Sequence, residues 1–373
     1  MDLVYVLAFI ISTEAVVFDN QGYVIFCPCM EIENDALVLF HSVFIGRFGN
    51  QVDQLLGVMH FTRTLNRTLV LPNFIEYPFP NTAVRPFESV FQVSGIKSYL
   101  KVVRMLDFTR DIMDILWPKE NRTALCWSPH TSIYDANAPV GCHAKEGNPF
   151  GLYWDAIGIS FTKDAYFGDL GYDLTLEDSR AAWNERFSLS DFPVLAFASP
   201  PAPFPSRPFT WELQRYLKWN SRIAEKTDEF IREELLSPFV AIHLRNDNDW
   251  CDTEEDYSGV LTKEMCLPSK ATIVEQVLEM VRTIGARSVF VASDKDHMIE
   301  DLNEALKGYK VKAYRLNPDD PLLSLAVLAK ADHFIGNCVS TFSHLAKRER
   351  DTKKPPKPTS YFGIRRRSKR IEL

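Results

Sequence analysis

The sequence predicts an α/β protein made of two Rossmann-like, doubly wound domains that face a cleft. Three observations carry that expectation. Short β-rich runs alternate with stretches of helical periodicity along most of the chain, the pattern of βαβ units and parallel sheets. A Gly-x-x-Gly turn opens the first helical stretch. A proline-dense segment divides the chain near its middle.

The elements follow in order. Tyr23 to Phe26 reads as a strand, and Val52, Leu55, Leu56 and Met59 then recur at helical spacing. Thr68 to Leu71 is β-rich and stops at Pro72, completing a strand, glycine loop, helix and strand. Trp117 to Tyr166 is rich in Pro, Gly, Asn and aromatics. It reads as long surface loops, where specificity usually resides. Phe192 to Phe209 holds six of the 22 prolines, a density that breaks helix and sheet alike. A linker is expected there, between an N-terminal domain (16–206) and a C-terminal domain (207–373).

Beyond it, Trp211 to Leu235 reads as one long amphipathic helix and Phe239 to Leu244 as a buried strand. Ser269 is placed to cap a helix whose apolar face is Ile273, Val274, Val277, Leu278 and Val281. Gly285 ends it, where a left-handed residue is cheapest. Ser288 to Ala292 is a strand, and Asp320-Pro321 opens another helix. His333 to Ile335 is the last strand read from the sequence, with Ser340 and Thr341 placed to cap the helix after it.

The chain has 373 residues, 46% hydrophobic and 24% charged, with a formal net charge of −7. This excludes disordered and fibrous classes, and the acidic balance argues against a nucleic-acid partner. Residues 1–15 read as a secretory signal peptide. Leu3 to Ile11 is apolar but too short to cross a bilayer, and Thr13 and Ala15 are small residues before a cleavage point. No later stretch is long and apolar enough to span a membrane. Asn66-Arg67-Thr68 and Asn121-Arg122-Thr123 are N-glycosylation sequons. The seven cysteines form no C-x-x-C pair, so no metal site is expected. In an oxidising lumen, Cys126–Cys142 and Cys251–Cys266 are the expected local disulfides. The chain ends Lys369-Arg370-Ile371-Glu372-Leu373, near a K-D-E-L retrieval signal.

Three clusters fall after strands, where open α/β sheets bind ligands. Gly46-Arg47-Phe48-Gly49-Asn50-Gln51 precedes a helix N-terminus, which favours anions. Arg245 ends the strand containing His243. It reads either as a phosphate ligand or as half of a buried Arg–carboxylate pair. Asp332 to Phe342 passes from a strand to a helix start. Ser340 and Thr341 there read as diphosphate ligands or simply as caps.

Together these clusters, with Lys347-Arg348-Glu349-Arg350-Asp351, closely resemble the type 1 GDP-fucose protein O-fucosyltransferase family. Cys27-Pro28-Cys29-Met30, Asn66-Arg67-Thr68-Leu69 with Pro72, Ile75-Glu76-Tyr77 and Cys142 to Gly151 extend the likeness. The resemblance implies a GT-B glycosyltransferase that moves fucose, with inversion, from GDP-fucose to Ser or Thr hydroxyls of folded EGF-like repeats. Such repeats occur in secreted or cell-surface proteins such as Notch-type receptors. It implies Arg245 as the key catalytic residue, at the β-phosphate and glycosidic oxygen, and Asn50 near the acceptor hydroxyl and sugar. Arg47, Phe48, Gly49 and His243 would hold the donor. Asp332 would read guanine, and Ser340, Thr341 and Phe342 would line the diphosphate and base. It also implies a Cys27–Cys29 disulfide, no obligatory metal or other cofactor, a monomer, and retention in the endoplasmic reticulum lumen.

The chain departs from the family at two places. Glu31 to Ile45 separates Cys-Pro-Cys-Met from the glycine loop and reads as a retained intron or gene-model error, or else as a real insertion that would displace Arg47 and Asn50. The Cys251–Cys266 loop is short by one cysteine, which predicts a free thiol at Cys338. Two other functions compete: fucosylation of thrombospondin-type repeats or glycans, and a non-catalytic luminal folding factor for EGF-like repeats. The Cys142–Gly151 likeness favours the first reading.

Overall fold

The computed structural model describes residues 20–29, 47–77, 82–246 and 261–364. The expected leader, the Glu31–Ile45 run, Cys251 and the basic C-terminal tail lie outside them. The first part of the chain runs β1 (Tyr23–Phe26), α1 (Phe48–Thr64), β2 (Thr68–Leu71), β3 (Phe74–Glu76), β4 (Ala83–Arg85), α2 (Val93–Lys97) and β5 (Val102–Arg104). It continues through α3 (Met105–Asp107), α4 (Met113–Leu116), β6 (Thr123–Cys126), α5 (Phe150–Ala156), β7 (Lys163–Tyr166), α6 (Glu177–Arg186) and β8 (Val194–Phe197). The second part runs α7 (Pro208–Trp211), α8 (Ser221–Glu234), β9 (Phe239–Leu244), α9 (Lys263–Cys266), α10 (Lys270–Ile284) and β10 (Ser288–Ser293). It ends with α11 (Ile299–Leu306), β11 (Lys312–Tyr314), α12 (Pro321–Lys330), β12 (His333–Gly336), α13 (Thr341–Asp351) and β13 (Thr359–Tyr361).

Two parallel sheets result. The first has the order β5-β2-β1-β8-β6-β7 and the second β11-β10-β9-β12-β13. Tyr23 to Phe26 pair with Val194 to Phe197, and Ser288 to Ser293 with Phe239 to Leu244. β1, β6, β8 and β9 are buried along their whole length, as expected of strands covered by helices on both faces. Strand order reverses between β1 and β8 in one sheet and between β9 and β12 in the other. Loops diverge at such points and leave a crevice at the carboxyl ends of the strands.

The expected doubly wound class is what forms, and the cap chemistry is as read. Ser269 accepts from the Thr272 N–H, Gly285 is left-handed at φ 62°, and Asp320 accepts from the N–H groups of Leu322 and Leu323. Three expectations need correction. The proline-rich stretch contains the central strand β8, because Val194 to Phe197 lie between Pro193 and Pro200 and contain no proline themselves. Trp211 to Leu235 is not one helix. Trp219 bridges Phe91 instead, and Asn220 caps α8 by accepting from the Ile223 N–H. The Trp117–Tyr166 stretch is not all surface loop: it holds buried β6 and, in α5, the fully buried Tyr153 and Trp154.

Cys27–Cys29 and Cys126–Cys142 are disulfide-bonded, the latter with Cα atoms 5.6 Å apart. Cys266 is disulfide-bonded, but its expected partner Cys251 is outside the described residues. Cys338 is a free thiol, as the missing cysteine predicts. Asn66 and Asn121 are exposed.

Candidate active site

β9 delivers two polar residues to the crevice from an apolar strand. His243 and Arg245 are two residues apart and so leave the sheet on one face. His243 is buried, its Nδ1 is 2.8 Å from Ser343 Oγ, and its ring packs on Phe342 with centroids 4.6 Å apart. Burial pulls its pKa down to about 4, against the opposing charge of Asp294. The imidazole is therefore neutral at physiological pH. Arg245 lies just past the strand, where its guanidinium donates to Asp294 Oδ2. The other oxygen of Asp294 accepts from the Asn246 N–H at 2.9 Å. The Arg245 side chain keeps 29% exposure while Asp294 keeps 11%. The ion pair read as one alternative is present, and it fixes a guanidinium that still reaches solvent. Asp294 was missed as a site residue, although it is legible as the acid following the β10 strand.

β12 leads into α13 through a pinned turn. Asn337 is fully buried. Its side-chain amide donates to the Cys266 carbonyl at 2.7 Å, and its backbone N–H donates to Ser343 Oγ at 2.9 Å. Ser340 occupies the cap position of α13, but its hydroxyl makes no capping bond. The Thr341 hydroxyl donates instead to Asn50 Oδ1, at 2.6 Å. Simple capping is thus not what either hydroxyl does.

That bond joins α13 to α1. Arg47 is the exposed cap residue of α1. Phe48 packs on Phe74 and Phe91, with centroids 5.1 and 6.1 Å away. A Cβ on Gly49 would lie 2.8 Å from Thr341 Oγ1 and 3.0 Å from the Phe342 nitrogen. The glycine is therefore required for the approach of the other helix. Gln51 is structural: its carboxamide both donates to the Ile75 carbonyl and accepts from the Ile75 N–H, each at 2.8 Å. Two helix N-termini thus open side by side, and first-turn N–H groups have no partner within their helix. An anion is favoured at such a place.

The structure gathers Arg47, Phe48, Gly49, Asn50, His243, Arg245, Ser340, Thr341 and Phe342. Asp332 does not join them. It precedes β12, and its Oδ2 accepts from the N–H of Phe239, the first residue of β9, at 2.8 Å. It therefore closes the amino end of the sheet, a six-residue strand or roughly 17–20 Å from Arg245. Asp332 is near Ser340 in sequence, but the four-residue strand β12 puts the two at opposite ends of the sheet. Beyond β11, at the carboxyl end of that strand, lies Asp319. It pairs with His297 at 3.2 Å and Arg315 at 3.3 Å. Near it a cavity of about 470 Å³ is lined by Lys295, Asp296, His297, Met298 and Arg315, among others. Among the described residues, no group of three or more His, Cys, Asp and Glu side chains is arranged to hold a metal.

Two parallel sheets joined where α1 meets α13, with an arginine at the carboxyl end of a central strand, define a glycosyltransferase of the GT-B type. The family model for GDP-fucose protein O-fucosyltransferase matches residues 38–353. GDP-fucose protein O-fucosyltransferase 1 of Caenorhabditis elegans is 51% identical over 378 residues, covering 95% of this chain and 93% of the relative. The crystal structure of POFUT1 in complex with GDP-fucose matches with a TM-score of 0.86 at 51% identity, over 94% of this chain and 100% of that one. A POFUT1 structure in complex with GDP matches at 0.83 and 50% identity, over 93% and 100%. The chain belongs to the GDP-fucose protein O-fucosyltransferase family, and the resemblance drawn from its motifs is borne out.

Proposed function

We propose that the chain transfers fucose from GDP-fucose to a Ser or Thr hydroxyl of folded EGF-like repeats in the endoplasmic reticulum lumen. The observation that carries this reading is the Arg245 guanidinium, held by Asp294 yet partly open at the switch point of the second sheet. As the bond from fucose C1 to the β-phosphate oxygen breaks, negative charge grows on the departing GDP. A fixed cation stabilises that charge more than it stabilises the ground state. Neutral His243, Arg47 and the α13 N-terminus (Ser340, Thr341, Phe342) hold the diphosphate. Phe48 and Gly49 shape the first turn of α1 that lets α13 approach. Asn50 orients the acceptor hydroxyl, whose oxygen forms the new bond to C1 and whose proton passes to the departing β-phosphate oxygen of GDP. Asp319 and the cavity beside it, rather than Asp332, face the base.

On this reading residues 16–206 form the acceptor side and 207–373 the donor side, with 1–15 a cleaved leader and the C-terminal tail a retrieval signal. Exposure of Asn66 and Asn121 suits glycosylation in that compartment. Among the described residues, no helix is long and apolar enough to cross a membrane. The test is transfer of labelled fucose to one folded EGF-like repeat, beside a thrombospondin-type repeat. Arg245→Ala is expected to lower kcat about 100- to 1,000-fold while the EGF-like repeat still binds. Retained transfer in the variant, or transfer only to the thrombospondin-type repeat, would overturn the reading.

A further inference from the structure

α1 and α13 meet a second time, deeper in the molecule. Asp53 lies three residues beyond Asn50 on α1, and Arg348 seven beyond Thr341 on α13. Those spacings keep each pair on one helix face. Arg348 Nη1 donates to Asp53 Oδ1, with the two side chains 6% and 2% exposed. Ser206, in the loop after β8, adds its hydroxyl to Oδ1 at 2.8 Å and its backbone N–H to Oδ2 at 2.6 Å. Glu349 ties the same helix to the Trp219 indole at 2.9 Å.

This clasp is a poor device for stability alone. Arg348 Nε and Nη2 are buried without a hydrogen-bond partner, and burial lowers the Arg348 pKa against the pull of Asp53. A buried ion pair with unsatisfied donors seldom offsets its own desolvation. What it fixes is register, because neither helix can slide without leaving a charge unpaired.

We propose that Asp53, held by Arg348 and Ser206, is a positioning residue for fucosyl transfer. It sets Asn50 against Thr341 at the mouth of the cleft without touching substrate. The inference rests on the placement of Asn50 beside the acceptor hydroxyl. Small displacements of a reacting group cost rate far more than they cost binding.

The test is a double-mutant cycle on kcat, with Asp53→Asn, Thr341→Val and both, and with GDP affinity measured by calorimetry. Asp53→Asn is expected to lower kcat about 10- to 100-fold and to leave the GDP Kd within about twofold. In the Thr341→Val background it is expected to cost less than about threefold more, since the link it acts through is already cut. A purely structural role would give the same loss in both backgrounds. That result, or full activity in Asp53→Asn, overturns the proposal. Should Asp53→Asn fail to fold, Ser206→Ala leaves the ion pair and the Ser206 N–H bond in place. Its smaller loss in kcat must also vanish in Thr341→Val, and no loss at all overturns the proposal. Asn50→Ala, measured alone, separates the underlying reading: full activity there sinks the role of Asn50, whatever the cycle shows.

Discussion

At the scale of single residues, His243 shows how burial selects a charge state. Its pKa falls from 6.5 to about 4, chiefly because desolvation penalises the imidazolium. The unfolded chain therefore binds a proton between pH 6.5 and 4 that the folded chain refuses. Stability is fully present above pH 6.5 and is lost as pH falls toward 4. The loss by pH 4.5 is on the order of 2–3 kcal/mol, at roughly 1.4 kcal/mol per pKa unit. Burial also lowers His60, His297 and His344, so the difference between wild type and a variant isolates His243. Urea unfolding at pH 7 and pH 4.5 should show a shallower pH dependence in His243→Gln. Equal dependence in both proteins would mean the ring is charged in the fold. His243 and Arg245 were legible because a polar residue ending an apolar run is chemically conspicuous. Asp53 and Arg348 were not, since nothing local marks a carboxylate whose partner lies 295 residues away.

Elements were legible where the chain carries its own punctuation. β1, β2 and β9 are apolar runs bounded by glycine, proline or charge, and the caps of α10 and α12 use side chains within three residues of the backbone they satisfy. Elements defined by distant partners were not legible. α8 begins late because Trp219 is engaged by Phe91, and β6 is four residues in polar surroundings whose strand character comes from β8 and β7. The contact of α1 with α13 belongs to this second kind and can be tested at Gly49. Within a helix, Gly→Ala ordinarily stabilises by roughly 0.5–1 kcal/mol. Here the new Cβ would meet the Thr341 hydroxyl at 2.8 Å and the Phe342 backbone nitrogen at 3.0 Å. The hydroxyl can rotate away only by leaving Asn50, and the backbone cannot yield without moving α13. Gly49→Ala should therefore lose at least about tenfold in kcat, by the cost of misplacing reacting groups, and should not gain in Tm. Undiminished transfer together with a raised Tm would show that the two helices have room to part.

At the scale of the whole molecule, the two sheets share one core. Phe61, Leu195 and Phe197 from the first part of the chain belong to the same buried cluster as Phe239, Ala241 and Phe290 from the second. Asn50–Thr341, Asp53–Arg348 and Trp219–Glu349 cross the same boundary. A chain divided by a proline-rich stretch suggests two bodies that open and close. Continuous burial across the boundary argues instead for one cooperative unit with a preset cleft. Calorimetry should then show a single unfolding transition. On the proposed reading, GDP bound in the cleft should raise it as a whole, by about 2.7 kcal/mol of stability when the nucleotide is at 100 times its Kd. Two transitions, of which GDP moves only one, would mean that the halves fold independently and that the nucleotide belongs to one of them. In that case the alignment of Arg245 with Asn50 would have to be made anew in each catalytic cycle. A single shifted transition would place that alignment in the folding of the chain itself.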